Sequence, residues 1–207
     1  MKQSDLKVYF IMGSQNSRER HPLAVLEEAL KAEITMFQFR EKSRQALKGK
    51  DLLDFAHKCQ TLCKACNVPF IVNDNVELAN KLCADGVHVG QDDMPLSELK
   101  TAFEGIIGVS VHTSQEMADA VSGGADYVGI GPIYGTLTKP DAQPARGVHF
   151  LRQMRNAYPD YPIVGIGGIT VGNSAEVRMA GADGTAIISE ICESSNIRET
   201  VQLLRSK

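Results

Sequence analysis

The sequence predicts a (β/α)8 barrel, a closed ring of eight parallel strands surrounded by helices. Short apolar runs alternate eight times with longer segments of helical periodicity, and most connections between them are short. The runs are continuously apolar, which is typical of parallel strands covered by helices. No linker or low-complexity tract divides the 207 residues, so we expect residues 1–207 to form one domain. A doubly wound open sheet is the structural alternative, and eight regular units favour the closed barrel.

Apolar runs of four to six residues predict the strands. Most are rich in Val, Ile, Phe and Tyr, which pack well in sheets. Glycine or polar residues follow each run, as expected where the chain turns toward a helix. In chain order, the predicted strands are Val8–Met12, Ile34–Phe39, Pro69–Val72, Gly86–Val89, Ile106–Val109, Tyr127–Ile130, Ile163–Ile166 and Gly184–Ile188.

Helical periodicity between these runs predicts eight helices. Pro22 suits the first turn of its helix, where its missing N–H costs no hydrogen bond, and Ser114 is a suitable N-cap. The segment Lys48–Cys66 carries apolar residues at spacings of three and four, which predicts one buried face. In chain order, the predicted helices are Pro22–Lys31, Lys48–Cys66, Val76–Cys83, Leu96–Phe103, Ser114–Ser122, Val148–Ala157, Ser174–Ala180 and Ile197–Leu204.

A recurring tripeptide supports the barrel. Ala84–Gly86, Ala125–Tyr127 and Ala182–Gly184 each contain Ala-Asp immediately before a predicted strand. Gly124 and Gly181 precede two of these tripeptides and are suited to end a helix. Because barrel chemistry occurs at the opposite face, we interpret the three aspartates as structural.

The composition restricts the classes of function. With a net charge of −3, the chain has no general basic field to attract nucleic acid or a membrane surface. No apolar run reaches about 18 residues, and the five-residue apolar stretch near the N-terminus is too short for a signal-peptide core. We expect a cytoplasmic protein that binds neither nucleic acid nor membranes, and the sequence leaves open whether it forms a homo-oligomer.

The cysteines are interpreted as packing residues. They are Cys59, Cys63, Cys66, Cys83 and Cys192. The first three have helical spacing and could share one face, but a metal site there needs a fourth ligand, and only His57 is near. Small buried apolar side chains are the simpler interpretation, and nothing indicates disulfides.

Cationic residues follow the second predicted strand. Gln38, Arg40 and Lys42 alternate with other residues, so in an extended segment their side chains point to the same side. A row of donors with two positive charges suits a pyrophosphate group, which offers many acceptor oxygens. A solvated, charged strand end explains the same three residues equally well.

Carboxylates follow the third and fourth predicted strands. Asp74 comes directly after Asn73, and Asp92 and Asp93 follow Gly90 and Gln91. Two carboxylates from neighbouring strands can share Mg²⁺, which proteins usually hold with one or two carboxylates plus substrate phosphates. Helix capping by Asn73, Asp74 or Asp93 is the alternative. Asp92 is the weaker metal candidate, since adjacent residues need not point at one ion.

The remaining strand ends carry hydroxyls, a histidine and glycines. Ser110 and His112 follow the fifth strand, and His112 is either a general base or a structural residue. The long loop after the sixth strand is rich in hydroxyls and ends at Lys139, and long loops in compact barrels are usually functional. Gly168 and Ser189 lie where the loops after the seventh and eighth strands commonly bind phosphate through backbone N–H groups. Together these features predict two anion sites and one metal site, and hence two phosphorylated small-molecule partners.

At this point the sequence resembles the thiamine phosphate synthase family, in the family's order and over nearly the whole chain. The matching stretches are QFREK, VNDNVELA, DGVHVGQDDMP, IGVSVHT, DYVGIGPIYGTLTKPDA, PIVGIGGIT and ADGTAIIS. The resemblance implies a transferase that joins a pyrimidine diphosphate to a thiazole phosphate with the help of Mg²⁺. Small departures are Gly165, where Ala is usual, and Gly13–Ser14 after the first strand.

The resemblance also implies a role for each matching residue. The residues expected to bind the pyrimidine diphosphate are Gln38, Phe39, Arg40, Glu41, Lys42, Asn73, Ser110 and Lys139. The expected catalytic residues among them are Arg40, Lys42, Ser110 and Lys139. The residues expected to bind the thiazole phosphate are Thr136, Leu137, Thr138, Gly168, Ile188 and Ser189. The expected Mg²⁺ ligands are Asp74 and Asp93.

Three other classes of protein share parts of this pattern. Thiazole tautomerases are similar in sequence, but they lack the full metal and diphosphate set and carry His where Pro132 stands. A regulatory barrel without activity would not need an intact pair of Mg²⁺ ligands. A sugar-phosphate isomerase or epimerase would share the glycine loop but would not need the cationic row after the second strand. The combination of Asp74, Asp93, Lys139 and Pro132 favours the synthase.

Overall fold

The computed structural model describes residues 1–135 and 144–206, which form a closed barrel of eight parallel strands. Each strand pairs with the next along the chain, and β8 closes the ring by pairing with β1. The predicted fold class is confirmed. The strands are β1 (Val8–Met12), β2 (Met36–Phe39), β3 (Phe70–Asn73), β4 (Gly86–Val89), β5 (Ile106–Val111), β6 (Tyr127–Ile130), β7 (Ile163–Ile166) and β8 (Gly184–Ile187).

Helices surround the barrel, and a short 3₁₀ helix, Gln3–Leu6, precedes β1. The helices are α1 (Pro22–Lys31), α2 (Gly49–Ala65), α3 (Val76–Leu82), α4 (Leu96–Ala102), α5 (Ser114–Ser122), α6 (Gly147–Ala157), α7 (Ser174–Met179), α8 (Ser189–Cys192) and α9 (Ile197–Arg205). The four-residue helix α8 was not predicted. Within the described residues, no helix is both long and apolar enough to cross a membrane.

Four strands, β2, β3, β5 and β8, differ from the predicted bounds, and the differences in β2 and β5 have identifiable reasons. β2 begins at Met36 because the Ile34 N–H still donates to the Ala29 carbonyl at 3.2 Å, which completes the turn that ends α1. β5 continues to Val111 because Ser110 and Val111 pair with β6. This extension places Ser110 within a strand, where it pairs with Gly129 of β6.

The chain uses one turn four times at the N-terminal end of the barrel. In each turn, the residue just before an even-numbered strand accepts a hydrogen bond through a side-chain oxygen. The donor is the backbone N–H of the first or second residue of the preceding odd-numbered strand. The oxygens and N–H groups pair as Thr35–Val8 at 2.9 Å and Asp85–Phe70, Asp126–Ile107 and Asp183–Ile163, each at 2.8 Å. The structural interpretation of the three aspartates is therefore confirmed.

A left-handed residue ends the helix two positions before each of these caps. These residues are Glu33, Cys83, Gly124 and Gly181, with φ between 49° and 111°. The positive φ turns the chain abruptly from helix to strand, which glycine tolerates best. Two of the four positions nevertheless carry a non-glycine residue. Only the two glycines could be recognised from the sequence as helix ends.

The barrel encloses a second, smaller core inside the ring of strands. Its buried apolar members include Ile11, Met36, Ile71 and Val164. Above them, toward the C-terminal ends of the strands, the interior changes to polar side chains. This change marks the end of the barrel at which the candidate site is found.

The cysteine prediction is correct for three of the five residues. Cys59, Cys63 and Cys192 are buried, whereas Cys66 and Cys83 are exposed. Cys66 lies at the C-terminal end of α2 and Cys83 at that of α3, where the chain leaves the helix and the buried face no longer continues. All five thiols are free.

Candidate active site

A cavity of about 480 Å³ opens at the C-terminal ends of the strands. The predicted site residues that line it come from strands on opposite sides of the barrel. They are Gln38, Arg40, Asn73, Ser110, Gly168, Ile188 and Ser189. One mouth therefore brings together residues more than 150 positions apart in the chain, as expected for an active site in this fold.

The acidic and cationic residues of β2, β3 and β4 meet on one side of this mouth. The Lys42 ammonium donates a hydrogen bond to Asp74 Oδ2. Burial raises the pKa of the Asp74 carboxyl, and contact with the Asp93 carboxyl raises it further, whereas Lys42 acts in the opposite direction. The hydrogen bond between Lys42 and Asp74 raises the pKa of Lys42. Two carboxylates and one ammonium thus form a compact charged cluster.

The structure excludes the capping interpretation for Asp74. The N-cap of α3 is Asn75, whose side-chain oxygen accepts the Leu78 N–H at 2.9 Å. Neither Asn73 nor Asp74 caps this helix, so the capping interpretation is wrong for both. Asp93 does have a local role, since its Oδ2 accepts the Gly90 N–H at 2.8 Å and closes the loop after β4.

The donor set fits Mg²⁺ bound in its usual way. Across residues 1–135 and 144–206, no group of three or more His, Cys, Asp and Glu side chains could hold a metal ion. Mg²⁺ does not require such a cage, because it commonly takes one or two carboxylates and completes its shell with substrate phosphate and water. Asp74 and Asp93 supply that pair of carboxylates beside the cavity.

Among the described residues, Arg40 is the Lys or Arg side chain that lines the cavity. Its half-buried side chain lines the wall, and in the described part of the chain no carboxylate lies within salt-bridge distance of its guanidinium. A guanidinium offers five N–H donors in a planar fork that matches phosphate oxygens. Arg40 is therefore available to bind an anion.

The opposite side of the mouth is built from backbone. Gly167 and Gly168 have φ of 98° and 63°, a conformation that side chains disfavour. A Cβ on Gly168 would lie 2.5 Å from the Gly135 carbonyl oxygen, so the loops after β6 and β7 can approach only with glycine here. The Asn173 side chain donates to the Gly168 carbonyl at 3.0 Å and stabilises this turn.

The loop after β7 is also tied to α8. The Val171 N–H donates to Glu190 Oε1 at 2.9 Å, which holds the glycine turn beside Ser189, the first residue of α8. Both Gly168 and Ser189 line the cavity. The predicted monophosphate end is therefore one connected structure, although it draws on two separate loops.

Comparison with known proteins identifies the family. The model of the thiamine monophosphate synthase family matches residues 8–191. The chain belongs to the thiamine monophosphate synthase family. This match confirms the resemblance drawn from the sequence motifs, and it makes the chain a transferase.

Relatives in this family match the chain over most of their length. The thiamine-phosphate synthase of Lysinibacillus sphaericus is 52% identical over 207 residues, covering 100% of this chain and 97% of the relative. That of Geobacillus kaustophilus is 54% identical over 187 residues, covering 90% and 84%. The solved structure of thiamine phosphate pyrophosphorylase from Pyrococcus furiosus is 31% identical and has a TM-score of 0.87, covering 98% of this chain and 95% of that one.

Two residues that the family resemblance assigns to the substrate have side chains engaged elsewhere. Phe39 is buried among aromatic rings, with its centroid 5.7 Å from that of Phe55, so it can reach the cavity only through its backbone. Glu41 accepts hydrogen bonds from the Ser14 N–H at 2.7 Å and the Leu47 N–H at 3.0 Å. Glu41 thus ties the loops after β1 and β2 together.

Part of the predicted site falls on a segment that is not described. Thr136, Leu137, Thr138 and Lys139 lie outside the described residues, and their assignments stay predictions. The chain immediately before them, Pro132 and Gly135, lines the cavity.

One departure from the family pattern has a structural counterpart. Gly165 stands where the family usually has Ala, and a Cβ built there would lie 2.4 Å from Val177 Cγ1. Val177 in α7 is fully buried. The isopropyl group of Val177 therefore fills the space that a methyl group on residue 165 would take.

His112 has a well-defined structural contact. Its Nδ1 lies 2.5 Å from the Gly131 carbonyl oxygen, and its backbone N–H donates to Glu116 Oε2 at 2.6 Å. Since a carbonyl oxygen only accepts, Nδ1 carries the proton. His112 thus connects the ends of β5 and β6 and also lines the cavity.

A chain of polar side chains inside the barrel was not predicted from the sequence. Gln38, Tyr9, Tyr127, His88 and Ser110 are joined in that order by hydrogen bonds of 2.8, 2.7, 3.0 and 2.9 Å. We call these five residues the interior chain. In the sequence, Tyr9 and Tyr127 stand within apolar runs and are predicted only as strand residues. A period-two assignment of strand faces would have shown that all five side chains point inward.

Proposed function

We propose that this barrel joins 4-amino-2-methyl-5-(diphosphooxymethyl)pyrimidine, the pyrimidine diphosphate, to 4-methyl-5-(2-phosphooxyethyl)thiazole, the thiazole phosphate. The products are thiamine phosphate and pyrophosphate. The observation that carries the proposal is that one cavity is lined by Arg40 and Asn73 at one side, next in the chain to the Lys42–Asp74–Asp93 cluster, and by the turn of Gly167 and Gly168 at the other. Two separate anion sites suit two phosphorylated substrates.

The pyrimidine diphosphate is assigned to the side formed by β2 to β5. Arg40 and Lys42, together with Lys139, would neutralise the diphosphate oxygens, where charge increases as the leaving group departs. Gln38, Asn73 and Ser110 would bind the remainder of this substrate, since all three line the cavity. The thiazole phosphate is assigned to the backbone at Gly168, Ile188 and Ser189 and to Thr136–Thr138.

Asp74 and Asp93 would hold Mg²⁺ at the diphosphate side. When bound, the ion would supply charge neutralisation to the leaving pyrophosphate. Lys42 already contacts Asp74 in the described structure, so this ammonium can move between the carboxylate and a substrate oxygen over a short distance.

The reaction is a substitution at the methylene carbon of the pyrimidine diphosphate. The bond between this carbon and the diphosphate oxygen breaks with the electron pair leaving on oxygen, and the electron-rich aminopyrimidine stabilises the resulting cation. The thiazole nitrogen then donates its lone pair to the carbon, and no proton has to be removed. The protein needs no nucleophile of its own, and its contribution is to position both substrates and exclude water.

Direct assay of the purified protein tests this proposal. The protein is incubated with both substrates, with and without Mg²⁺, and thiamine phosphate and pyrophosphate are followed by ³¹P NMR. We expect the two products in equal amounts only when Mg²⁺ is present, with activity lost in EDTA and restored by added Mg²⁺. Formation of neither product from intact protein would refute the proposal. A single-domain enzyme of the cytoplasm is part of the same proposal.

A further inference from the structure

We propose that Tyr9, Tyr127 and His88 are positioning residues that set the direction of the hydrogen bonds between Gln38 and Ser110. Ser110 would thereby present a hydroxyl donor, and Gln38 an amide oxygen acceptor, to the substrate in the cavity. The inference rests on the proposed function, because the substrate concerned is the pyrimidine diphosphate.

Geometry makes the interior chain continuous from one cavity wall to another. Its members come from β2, β1, β6, β4 and β5, in the order in which they bond. Only its two ends, Gln38 and Ser110, are among the residues assigned to the substrate. The three intermediate residues connect the ends across the barrel, so that a change in one hydrogen bond affects both.

The direction of every bond follows from the first. Gln38 Nε2 can only donate, so the Tyr9 hydroxyl accepts and gives its own proton to Tyr127. The Tyr127 hydroxyl in turn donates to His88 Nδ1, which leaves the imidazole proton on Nε2. His88 Nε2–H then donates to Ser110 Oγ, and the proton of Ser110 remains for a partner in the cavity.

Burial makes this order strict. Tyr9 is 1% and Tyr127 0% exposed, and Tyr9 lines the cavity whereas Tyr127 does not, so exchange with water is excluded at the Tyr127 hydroxyl in the centre of the chain. Burial also raises the pKa of Tyr9 and Tyr127, so both phenols keep their single proton. A hydroxyl with one proton and one accepted bond transmits direction without ambiguity.

Small residues in the strands make room for the two rings. A Cβ on Gly108 would lie 2.1 Å from Tyr127 Cζ and 2.5 Å from His88 Nδ1. Gly129 faces His88 in the same way, with 3.3 Å to Cε1. Elsewhere the interior is filled by apolar side chains such as Ile71, which shows that filling alone does not call for polar groups. The polar members occur where they link the two cavity walls.

Tyr127→Phe tests the proposal because it removes one hydroxyl and keeps the ring. We expect kcat/KM for the pyrimidine diphosphate to fall at least tenfold, while KM for the thiazole phosphate changes less than twofold. The loss should shrink in a Ser110→Ala background, since Tyr127 acts partly through Ser110. Tyr9→Phe, which breaks the chain one step earlier, should show the same split and serves if Tyr127→Phe does not fold.

Thr185→Val is the matched control. Thr185 is buried, and its hydroxyl has no hydrogen-bond partner among the described residues, so the variant also removes a buried hydroxyl. Its kinetic constants should equal those of the wild type. Equal losses for both substrates in Tyr127→Phe, or wild-type constants, would overturn the positioning role.

The tautomer of His88 provides a readout that does not depend on activity. In ¹⁵N-histidine protein, two-dimensional NMR should show His88 with its proton on Nε2, and Tyr127→Phe should change the Nδ1 resonance. A proton on Nδ1 would overturn the proposed direction even in an active enzyme. Wild-type protein that makes no thiamine phosphate would instead refute the proposed function, which separates the two failures.

Discussion

The Lys42 ammonium donates a hydrogen bond to the Asp74 carboxylate across the ends of β2 and β3. The lysine side chain is 52% exposed and the aspartate side chain 19%, so the carboxylate is the more confined partner. In the proposed enzyme this ammonium competes with Mg²⁺ for Asp74 until a diphosphate arrives. Substitution of Lys42 can separate its effect on Mg²⁺ binding from its effect on diphosphate binding.

Lys42→Met should strengthen the binding of Mg²⁺ to the free protein and weaken the binding of the pyrimidine diphosphate. Removing one positive charge near the ion is worth about 1 kcal/mol in a partly solvated site, or roughly five- to tenfold in affinity. Titration calorimetry with Mg²⁺ alone measures the first effect, and KM for the diphosphate measures the second. Lys42→Arg keeps the charge and should bind Mg²⁺ as the wild type does. Unchanged Mg²⁺ affinity in Lys42→Met would argue against Asp74 as a ligand.

Asp93→Asn should lower Mg²⁺-dependent turnover by roughly two orders of magnitude, the usual effect of removing one group that stabilises charge in the transition state. Asparagine keeps an oxygen that can accept the Gly90 N–H, so the loop after β4 should survive. Asp93→Ala removes both functions and should lose turnover at least as strongly. The measurement is the rate as a function of Mg²⁺ concentration, alongside circular dichroism to verify the fold. Near-normal activity at limiting Mg²⁺ would contradict the metal assignment.

Much of the fold could be predicted because apolar runs and helical periods report it locally. The location of the cavity followed from the rule that barrel sites lie at the C-terminal ends of strands. The role of Asp74 could not be decided, because both a cap and a ligand suit its position. The side chain of Asn75 caps α3 itself, which removes the capping interpretation for Asp74 and leaves its role as a metal ligand a prediction.

The interior chain was missed for a different reason. Tyr9 and Tyr127 are apolar by composition, and their hydroxyls meet only because the strand register places them opposite each other in space. Register in a closed barrel depends on all eight strands, so no local pattern contains it. Helix α8 was not predicted either, because its four residues are too few to show a helical period.

Arg40→Ala should impair the diphosphate substrate most. Its guanidinium lines the cavity and has no ion-pair partner within the described residues, so the loss is chiefly one of substrate contact rather than of stability. We expect kcat/KM for the pyrimidine diphosphate to fall roughly 10²-fold or more, with KM for the thiazole phosphate little changed. Lys139→Ala should likewise lower kcat/KM for the pyrimidine diphosphate and leave KM for the thiazole phosphate little changed. An effect confined to the thiazole phosphate would contradict the division of the two sites.

Gly168→Ala should produce the reverse pattern. The residue has φ of 63°, and a Cβ would lie 2.5 Å from the Gly135 carbonyl oxygen, so the loops after β6 and β7 must separate. We expect KM for the thiazole phosphate to rise about tenfold or more, while KM for the diphosphate changes little, because the altered backbone is at the monophosphate side. Gly172→Ala, in the same loop but with its nearest neighbouring atom at 3.7 Å, is the control. Equal changes for both substrates would indicate a general loss of structure.

Asp126→Ala should reduce stability without affecting catalysis. The Asp126 carboxylate accepts the Ile107 N–H at 2.8 Å at the N-terminal end of the barrel, the face opposite the cavity. Removing this acceptor leaves a strand N–H without its partner, which costs about 1–3 kcal/mol in the free energy of unfolding. Urea denaturation measures this loss, and Asp126→Asn, which keeps an oxygen in place, should lose less.

The control for Asp126→Ala is Asp119→Ala, which removes the same charge from the exposed face of α5. Its free energy of unfolding should change by less than about 0.5 kcal/mol. Both variants should keep the kcat and KM of the wild type for each substrate, because chemistry in this fold occurs at the C-terminal face. A fall in kcat for Asp126→Ala at a temperature where the protein remains folded would mean that the N-terminal caps also hold the cavity in its active shape. If the caps only stabilise the barrel, Asp126→Ala will lower the melting temperature and leave kcat unchanged.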